Sequence, residues 1–214
     1  MAIDGTAVQF TADFHDRWTR LAEQWARCPG STLGTLGPAG TSSEVAAAVL
    51  ADRHTLKVEL FDTFDAVLDR LVDGTVDWAL VPSAYQWLTR FHWHPRVQLQ
   101  AFFPMATPDY GIAAPEGSTG TPPGGALDAI QVASMSEVRR VYNEVVPGAL
   151  REREVRWVDA NSTQHAAQLL AAGKADLAVT NALGVHNHDL RWLARRPGAE
   201  IVWTLFGSTP VPAG

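Results

Sequence analysis

Ten consecutive residues constrain this chain more than any others: Thr35-Leu36-Gly37-Pro38-Ala39-Gly40-Thr41-Ser42-Ser43-Glu44, which run directly into the apolar segment 45–50. Gly37 and Gly40 permit a tight backbone turn, Pro38 removes a donor, and Thr41 with Glu44 has the spacing of a capping box. The pattern predicts a helix that begins at this point, just beyond the end of a strand. Its first N–H groups and the hydroxyls of Thr41, Ser42 and Ser43 then form a ready site for a carboxylate or phosphate. The same signature also describes an ordinary capped helix that holds no ligand.

What such a site could serve is limited by composition. With 214 residues, 46% hydrophobic and 19% charged, the chain can bury a full core as one domain or as two lobes. No apolar run approaches the length of a membrane span, and the first thirty residues lack the pattern of a signal peptide, so a cytoplasmic protein without a membrane partner is expected. A single cysteine, Cys28, excludes an internal disulfide framework and a cysteine-based metal cluster. The net charge of −6 argues against nucleic acid as a partner. An anionic ligand would have to be held by local donors against a weakly repelling field.

Along the chain, Phe14, Trp18, Leu21, Ala22 and Trp25 recur at helical spacing over residues 10–27, and Pro29-Gly30 ends that helix. Residues 32–36, 56–60 and 78–82 read as strands, separated by helices over 42–53 and 63–71, the second with Asp62 or Thr63 at its cap and Gly74 at its close. Residues 97–103 form another strand and Pro104 to Asp109 a crossing segment, before a second block opens at Tyr110. Residues 115–125 read as a surface excursion. Strands follow at 130–133, 155–158 and 176–181, and the last at 200–206, with a loose tail after it. Ser134 to Glu137 repeats the capping-box spacing, and Asn161-Ser162-Thr163 marks a third helix start.

This alternation predicts an α/β protein with an N-terminal helical extension over 1–30, a first lobe over 31–105 plus 186–214, and a second lobe over 106–185. Sheets of this kind bind ligands at the carboxyl ends of their strands. If the lobes face one another, their cleft is lined by Thr41, Ser42, Ser134, Ser136, Ser162, Thr163 and Asn181, a set suited to a small dianion.

The stretch Leu36 to Glu44 with Ala46-Ala47 resembles the glycine-proline-x-glycine-threonine-x-serine motif that opens prephenate dehydratase domains. Phe61-Asp62-Thr63-Phe64, followed by residues 77–82, continues it in the family's order, and the match extends over nearly the whole chain after residue 31. Two departures are informative. Dehydratases follow Val-Pro with an Ile-Glu-Asn-Ser type sequence where this chain has Ser83-Ala84-Tyr85-Gln86, and their later Thr-Arg-Phe motif here reads Thr204-Leu205-Phe206. The triplet Thr89-Arg90-Phe91 lies elsewhere, on a predicted helix. In Val81-Pro82-Ser83-Ala84-Tyr85, in Pro108 to Gly111, in Thr180-Asn181 and in Trp203 to Gly207 the chain is instead similar to the prephenate decarboxylases of antibiotic pathways.

That resemblance implies a two-lobed fold of the periplasmic-binding-protein type II kind, as in prephenate dehydratase catalytic domains, without an ACT domain. It implies a carboxy-lyase of secondary metabolism that takes carbon dioxide from prephenate, keeps the ring hydroxyl and protonates the ring, with no cofactor. Such a site must hold the pyruvyl carboxylate, leave the ring carboxylate poorly solvated and offer the hydroxyl no effective acid. The residues implied are Thr41, Tyr85 and Thr204 for catalysis, and Thr41, Ser42, Ser43, Thr63, Ser83, Ser134, Ser136, Ser162, Thr163 and Asn181 for binding. Tyr85, a hydroxyl of the Thr41 to Ser43 turn, and water all stand as proton donors.

Competing signals are weaker. His92-Trp93-His94 and His186-Asn187-His188 each put two imidazoles on one side of a strand, but no third ligand accompanies them and no metal is expected. The eight tryptophans fall at apolar-phase positions and read as core, and Arg139-Arg140 and Arg195-Arg196 as solvated faces. Apolar residues on the N-terminal helix suggest a homodimer. The other readings are a true dehydratase, which would yield phenylpyruvate, and a non-catalytic receptor for a small anion.

Overall fold

The computed structural model describes residues 10–118 and 129–209, with side chains from residue 13 onward. The chain runs α1 (Phe10–Arg27), β1 (Thr32–Leu36), α2 (Ser42–His54), β2 (Lys57–Phe61), α3 (Phe64–Asp73), β3 (Trp78–Pro82), α4 (Thr89–His92) and β4 (Val97–Ala106). It continues as β5 (Tyr110–Pro115), β6 (Ile130–Ser134), α5 (Arg139–Val145), β7 (Val155–Asp159), α6 (Thr163–Ala171), β8 (Leu177–Asn181), α7 (Ala182–Asn187), β9 (Leu190–Arg196) and β10 (Glu200–Ser208). The strands build two sheets, ordered β2-β1-β3-β10-β4 and β7-β6-β8-β5-β9. In each sheet the first three strands are parallel and the last two antiparallel to their neighbours.

The central strands β3 and β8 carry continuous apolar runs because both faces of each sheet are covered. On the first sheet one face packs Leu33, Leu80, Trp203 and Leu205 against Leu21 and Trp25 of α1 and Ala46, Ala47 and Leu50 of α2. The other face packs Val81 and Phe206 against Phe64, Val67 and Leu71 of α3 and Phe91 of α4. The second sheet is covered by α5 through Tyr142 on one side and by α6 through Ala166, Ala167 and Leu170 on the other.

Helix α1 lies along β4, the outer strand of the first sheet, and uses polar atoms as well as apolar ones. Trp18 Nε1 donates to the Phe102 carbonyl at 3.2 Å and Arg17 to that of Leu99 at 3.3 Å, so the helix covers an edge that would otherwise present open carbonyls. Leu21 and Trp25 are buried there, so these two apolar residues of α1 pack within the chain.

The lobes are joined by two short crossings, 107–109 and 197–199, bound to each other by Thr107 N–H to the Ala199 carbonyl at 2.9 Å and Gly198 N–H to Asp109 Oδ1 at 3.1 Å. A side chain at Gly198 would meet the Thr107 carbonyl at 1.9 Å, so the two strands approach this closely only with glycine there.

Several boundaries differ from the sequence reading. Residues 190–196 form β9, which pairs with β5, so this stretch sits in the second sheet rather than with 31–105. Strand β4 runs through Pro104 to Ala106, with Pro104 opposite Val202, and β10 reaches Ser208. His92 and His186 stand on α4 and α7, not on strands. The excursion from residue 119 onward and the tail from residue 210 lie outside the described residues.

Candidate functional site

Helix α2 starts as its sequence dictates. Thr41 is extended and its Oγ1 accepts the Glu44 N–H at 3.1 Å, while Glu44 Oε2 accepts the Gly40 N–H at 3.4 Å, a reciprocal cap. The Thr41 hydroxyl in turn donates to the Leu36 carbonyl at 2.8 Å, tying the helix start to the end of β1. In the other lobe Ser162 caps α6, accepting the His165 N–H at 3.0 Å. Both helices therefore present the N–H groups of their first turn, which have no partner inside the helix, and the positive end of the backbone dipole.

These two helix starts meet. The Gly40 carbonyl accepts Gln164 Nε2 at 2.9 Å and Asn181 Nδ2 at 3.0 Å, and Gln164 also reaches Asn181 Oδ1 at 3.3 Å. All four groups are buried. Gly40 has φ +88°, and a Cβ there would lie 2.7 Å from Gln164 Nε2, so glycine is required by conformation and by the close approach of the lobes. A second bridge joins Ser42 Oγ to the Tyr110 hydroxyl at 2.5 Å, and a third runs from Gln86 Nε2 to Ser136 Oγ at 2.9 Å.

Beside the Ser42–Tyr110 bridge lies a cavity of about 70 Å³, lined from both lobes. Its polar rim includes Thr41, Ser42, Ser43, Ser162 and Thr163, and its walls include Phe64, Ala84, Met135, Val138, Ile201 and Trp203. Tyr85, Tyr110 and Glu137 complete it, and none of the described residues lining it is lysine, arginine or histidine. Burial, with Asp65 and Glu137 adding negative charge, pushes the Tyr85 phenol up to about 12. Burial also raises that of Tyr110, against a lowering by its bond to Ser42. Both phenols are neutral at physiological pH.

Of the residues expected from sequence, the structure brings Thr41, Ser42, Ser43, Tyr85, Ser162 and Thr163 to this cavity. Thr63 instead caps α3, accepting the Ala66 N–H at 3.1 Å on an exposed surface. Ser83 and Ser136 are exposed, the latter bridging to Gln86. Ser134 caps nothing: its hydroxyl donates to the Met135 carbonyl at 2.8 Å, and a 3₁₀ turn over Ser136–Val138 delays the helix to Arg139. Asn181 acts as an inter-lobe strut, and Thr204 is buried with its hydroxyl committed to the Val81 carbonyl at 2.6 Å. Sequence reasoning missed Tyr110, Gln164, Glu137 and Trp203. Trp203 is buried, and its indole N–H finds no acceptor among the described residues.

No family model matches the chain. Among curated proteins it is similar to a prephenate decarboxylase of Bacillus subtilis, 31% identical over 183 residues that cover 82% of this chain and 86% of that protein. Among solved structures it is similar to a prephenate dehydratase of Arthrobacter aurescens determined with L-Phe, with TM-score 0.61, 17% identity, and coverage of 84% of this chain and 61% of that one. The periplasmic VFT2 domain of BvgS from Bordetella pertussis matches with TM-score 0.54 at 18% identity, over 88% of this chain and 85% of that one. Both structural likenesses concern the two-lobed fold alone.

Proposed function

We propose that this chain, which belongs to the prephenate decarboxylase family, removes carbon dioxide from prephenate without aromatising the ring and is thus a carboxy-lyase. The observation that carries this reading is the 31% identity to a curated decarboxylase across 82% of the chain. The cleft is consistent with it. The first-turn N–H groups of α2 and α6, with the hydroxyls of Ser42, Ser43 and Thr163, would bind the pyruvyl carboxylate. Each charge–dipole contact of this kind is worth about 0.3–1 kcal/mol when exposed and up to about 2 kcal/mol when partly buried. Ala84 offers the ring hydroxyl a methyl group at the place where dehydratases carry an acidic residue. Leu205 is fully buried in the core, so that position sends nothing into the cavity.

In this reading Tyr110 and Ser42 hold the lobes together over the bound acid, and Trp203 offers its indole N–H to the ligand. The enzyme serves synthesis of non-proteinogenic amino acids for antibiotics, in the cytoplasm. Among the described residues no helix is long and apolar enough to cross a membrane.

Incubation with prephenate at neutral pH, followed by ultraviolet and proton NMR spectra, tests the assignment. The expected product is a non-aromatic hydroxycyclohexadienyl pyruvate. Phenylpyruvate would make the protein a dehydratase despite Ala84 and Leu205, and prephenate consumed no faster than without protein would leave a binding role.

A further inference from the structure

Prephenate carries two carboxyl groups, and the cleft holds one well-formed anion site. The starts of α2 and α6 converge, because Gly40 beside one is bonded to Gln164 within the other at 2.9 Å. Their free N–H groups therefore point to one locus, sufficient for one carboxylate. The same cavity is also lined by Met135, Val138, Ile201 and Trp203, together with the carboxylate of Glu137. A second anionic group would be placed there without a cation and opposite a like charge.

We infer that the ring carboxyl of prephenate binds against this wall in its protonated form, held so by Glu137, and itself supplies the proton that reaches the ring. The inference rests on the decarboxylase reading above and adds the source of the proton and the face of its delivery. Loss of water and a neighbouring carboxylate both favour the neutral form of a bound carboxyl.

The substrate's own geometry completes the step. The ring carboxyl sits on the carbon next to a ring double bond, so its O–H and the far carbon of that double bond close a six-membered array. The bond between ring and carboxyl breaks and its electron pair becomes a new double bond to the adjacent ring carbon. The old double bond's pair takes the carboxyl proton at its far carbon, and the O–H pair completes carbon dioxide. Nothing is oxidised or reduced, the ring hydroxyl stays, and no protein group is consumed.

Three of the protein's own hydroxyls are poorly suited to the task. The Tyr85 phenol, pushed up to about 12, is too weak an acid, and burial raises the Tyr110 phenol as well. The Thr41 proton is given to the Leu36 carbonyl at 2.8 Å. The surroundings of Glu137 do not cancel its charge. From the first lobe it is faced by Tyr85, behind which Asp65 and Arg90 neutralise each other at 2.7 Å. From its own lobe Ser136 donates a hydrogen bond at 2.9 Å, and Arg139, two residues on, is engaged by Asp159 and stacked over Trp157.

Turnover in D2O, with the product's deuterium located by NMR relative to the ring hydroxyl, tests the delivery. Internal transfer places deuterium on the ring face that carried the carboxyl; deuterium on the opposite face would overturn the inference and leave the decarboxylase assignment standing. The dependence of kcat on pH from 6 to 9 tests Glu137. In Glu137→Gln the alkaline fall should move down by roughly one unit, cutting kcat about tenfold at pH 8 with recovery near pH 6. A loss at every pH without recovery would make Glu137 the direct donor and overturn internal delivery, and an unmoved profile would overturn the role of Glu137 in holding the carboxyl protonated. If no decarboxylated product forms at all, the functional reading fails and this inference with it.

Discussion

Glu44 and Glu137 each stand three residues after a hydroxyl, that of Thr41 beyond β1 and that of Ser134 at the end of β6, yet the first lobe folds its glutamate back onto its helix while the second lobe leaves its glutamate lining the cleft. The local spacing is the same; the backbone is not. Thr41 takes an extended conformation and accepts the Glu44 N–H, so the helix starts at once and the carboxylate is used on the Gly40 N–H. Ser134 lies within β6, bonds forward to the next carbonyl, and the chain passes through a 3₁₀ turn before α5 begins. In the second lobe the capped helix at the cleft is α6, which follows the next strand along. A capping-box pattern thus marks a place where the chain turns, and the neighbouring strand decides whether its acid serves the helix or the cavity.

The strongest way to break the pairing of the two helix starts is to force them apart. Gly40→Ala puts a Cβ 2.7 Å from Gln164 Nε2 and asks alanine to hold φ +88°. A displacement of about 1 Å at an anion site costs on the order of 100-fold in rate, roughly 2.7 kcal/mol of barrier. The kcat/KM for prephenate should fall by that factor with the circular dichroism spectrum retained. Adding Gln164→Ala removes the clash but not the backbone strain, so it should restore part of the loss; no restoration would mean that contact between the lobes is not what Gly40 protects.

Next in size is the strut itself. Asn181→Ala deprives the Gly40 carbonyl of one of its two donors and leaves the Gly184 N–H, now 2.8 Å from Asn181 Oδ1, without an acceptor. One buried unsatisfied group costs about 1–3 kcal/mol, so urea unfolding should show a loss of roughly 2 kcal/mol. A loss below about 0.5 kcal/mol would mean that water or Gln164 replaces the amide, and that the lobes are less firmly joined than the distances imply.

How much of this was legible in the sequence follows from the range of each interaction. The start of α2, the Thr63 cap and the αL glycine Gly74 involve partners within a few residues, and local spacing specifies them. The buried strands β3 and β8 were legible for the same reason, as unbroken apolar runs. Gln164 and Tyr110 were not, because their significance depends on partners 124 and 68 residues away. Nothing in the residues around Gln164 distinguishes a strut from a surface amide on a short helix. Strand β9 was hidden by composition: Leu190-Arg191-Trp192-Leu193-Ala194-Arg195-Arg196 reads as a charged solvated segment, and a charged edge strand is what a sheet uses to end itself. Its arginines are in fact tied down, Arg196 to Glu144 at 2.7 Å and Arg191 to the Ser118 carbonyl at 2.6 Å. Thr204 illustrates the reverse error, a residue that the family likeness placed in the site and the structure commits to the Val81 carbonyl.

The smallest effect tests the comparison most directly. Thr41→Ala removes a working N-cap and the bond to Leu36, so it should lower stability by about 1–2 kcal/mol. Ser134→Ala, at the matching place in the other lobe, removes a hydroxyl whose acceptor, the Met135 carbonyl, also receives the Val138 N–H at 3.3 Å. The carbonyl keeps a partner and no helix donor loses one, so the cost should be about 0.5 kcal/mol or less. Urea midpoints of the two variants measured side by side decide the matter. Equal losses would mean that Ser134 caps a helix in solution after all, which would draw Glu137 back onto that helix as Glu44 is drawn onto α2 and withdraw its charge from the cavity.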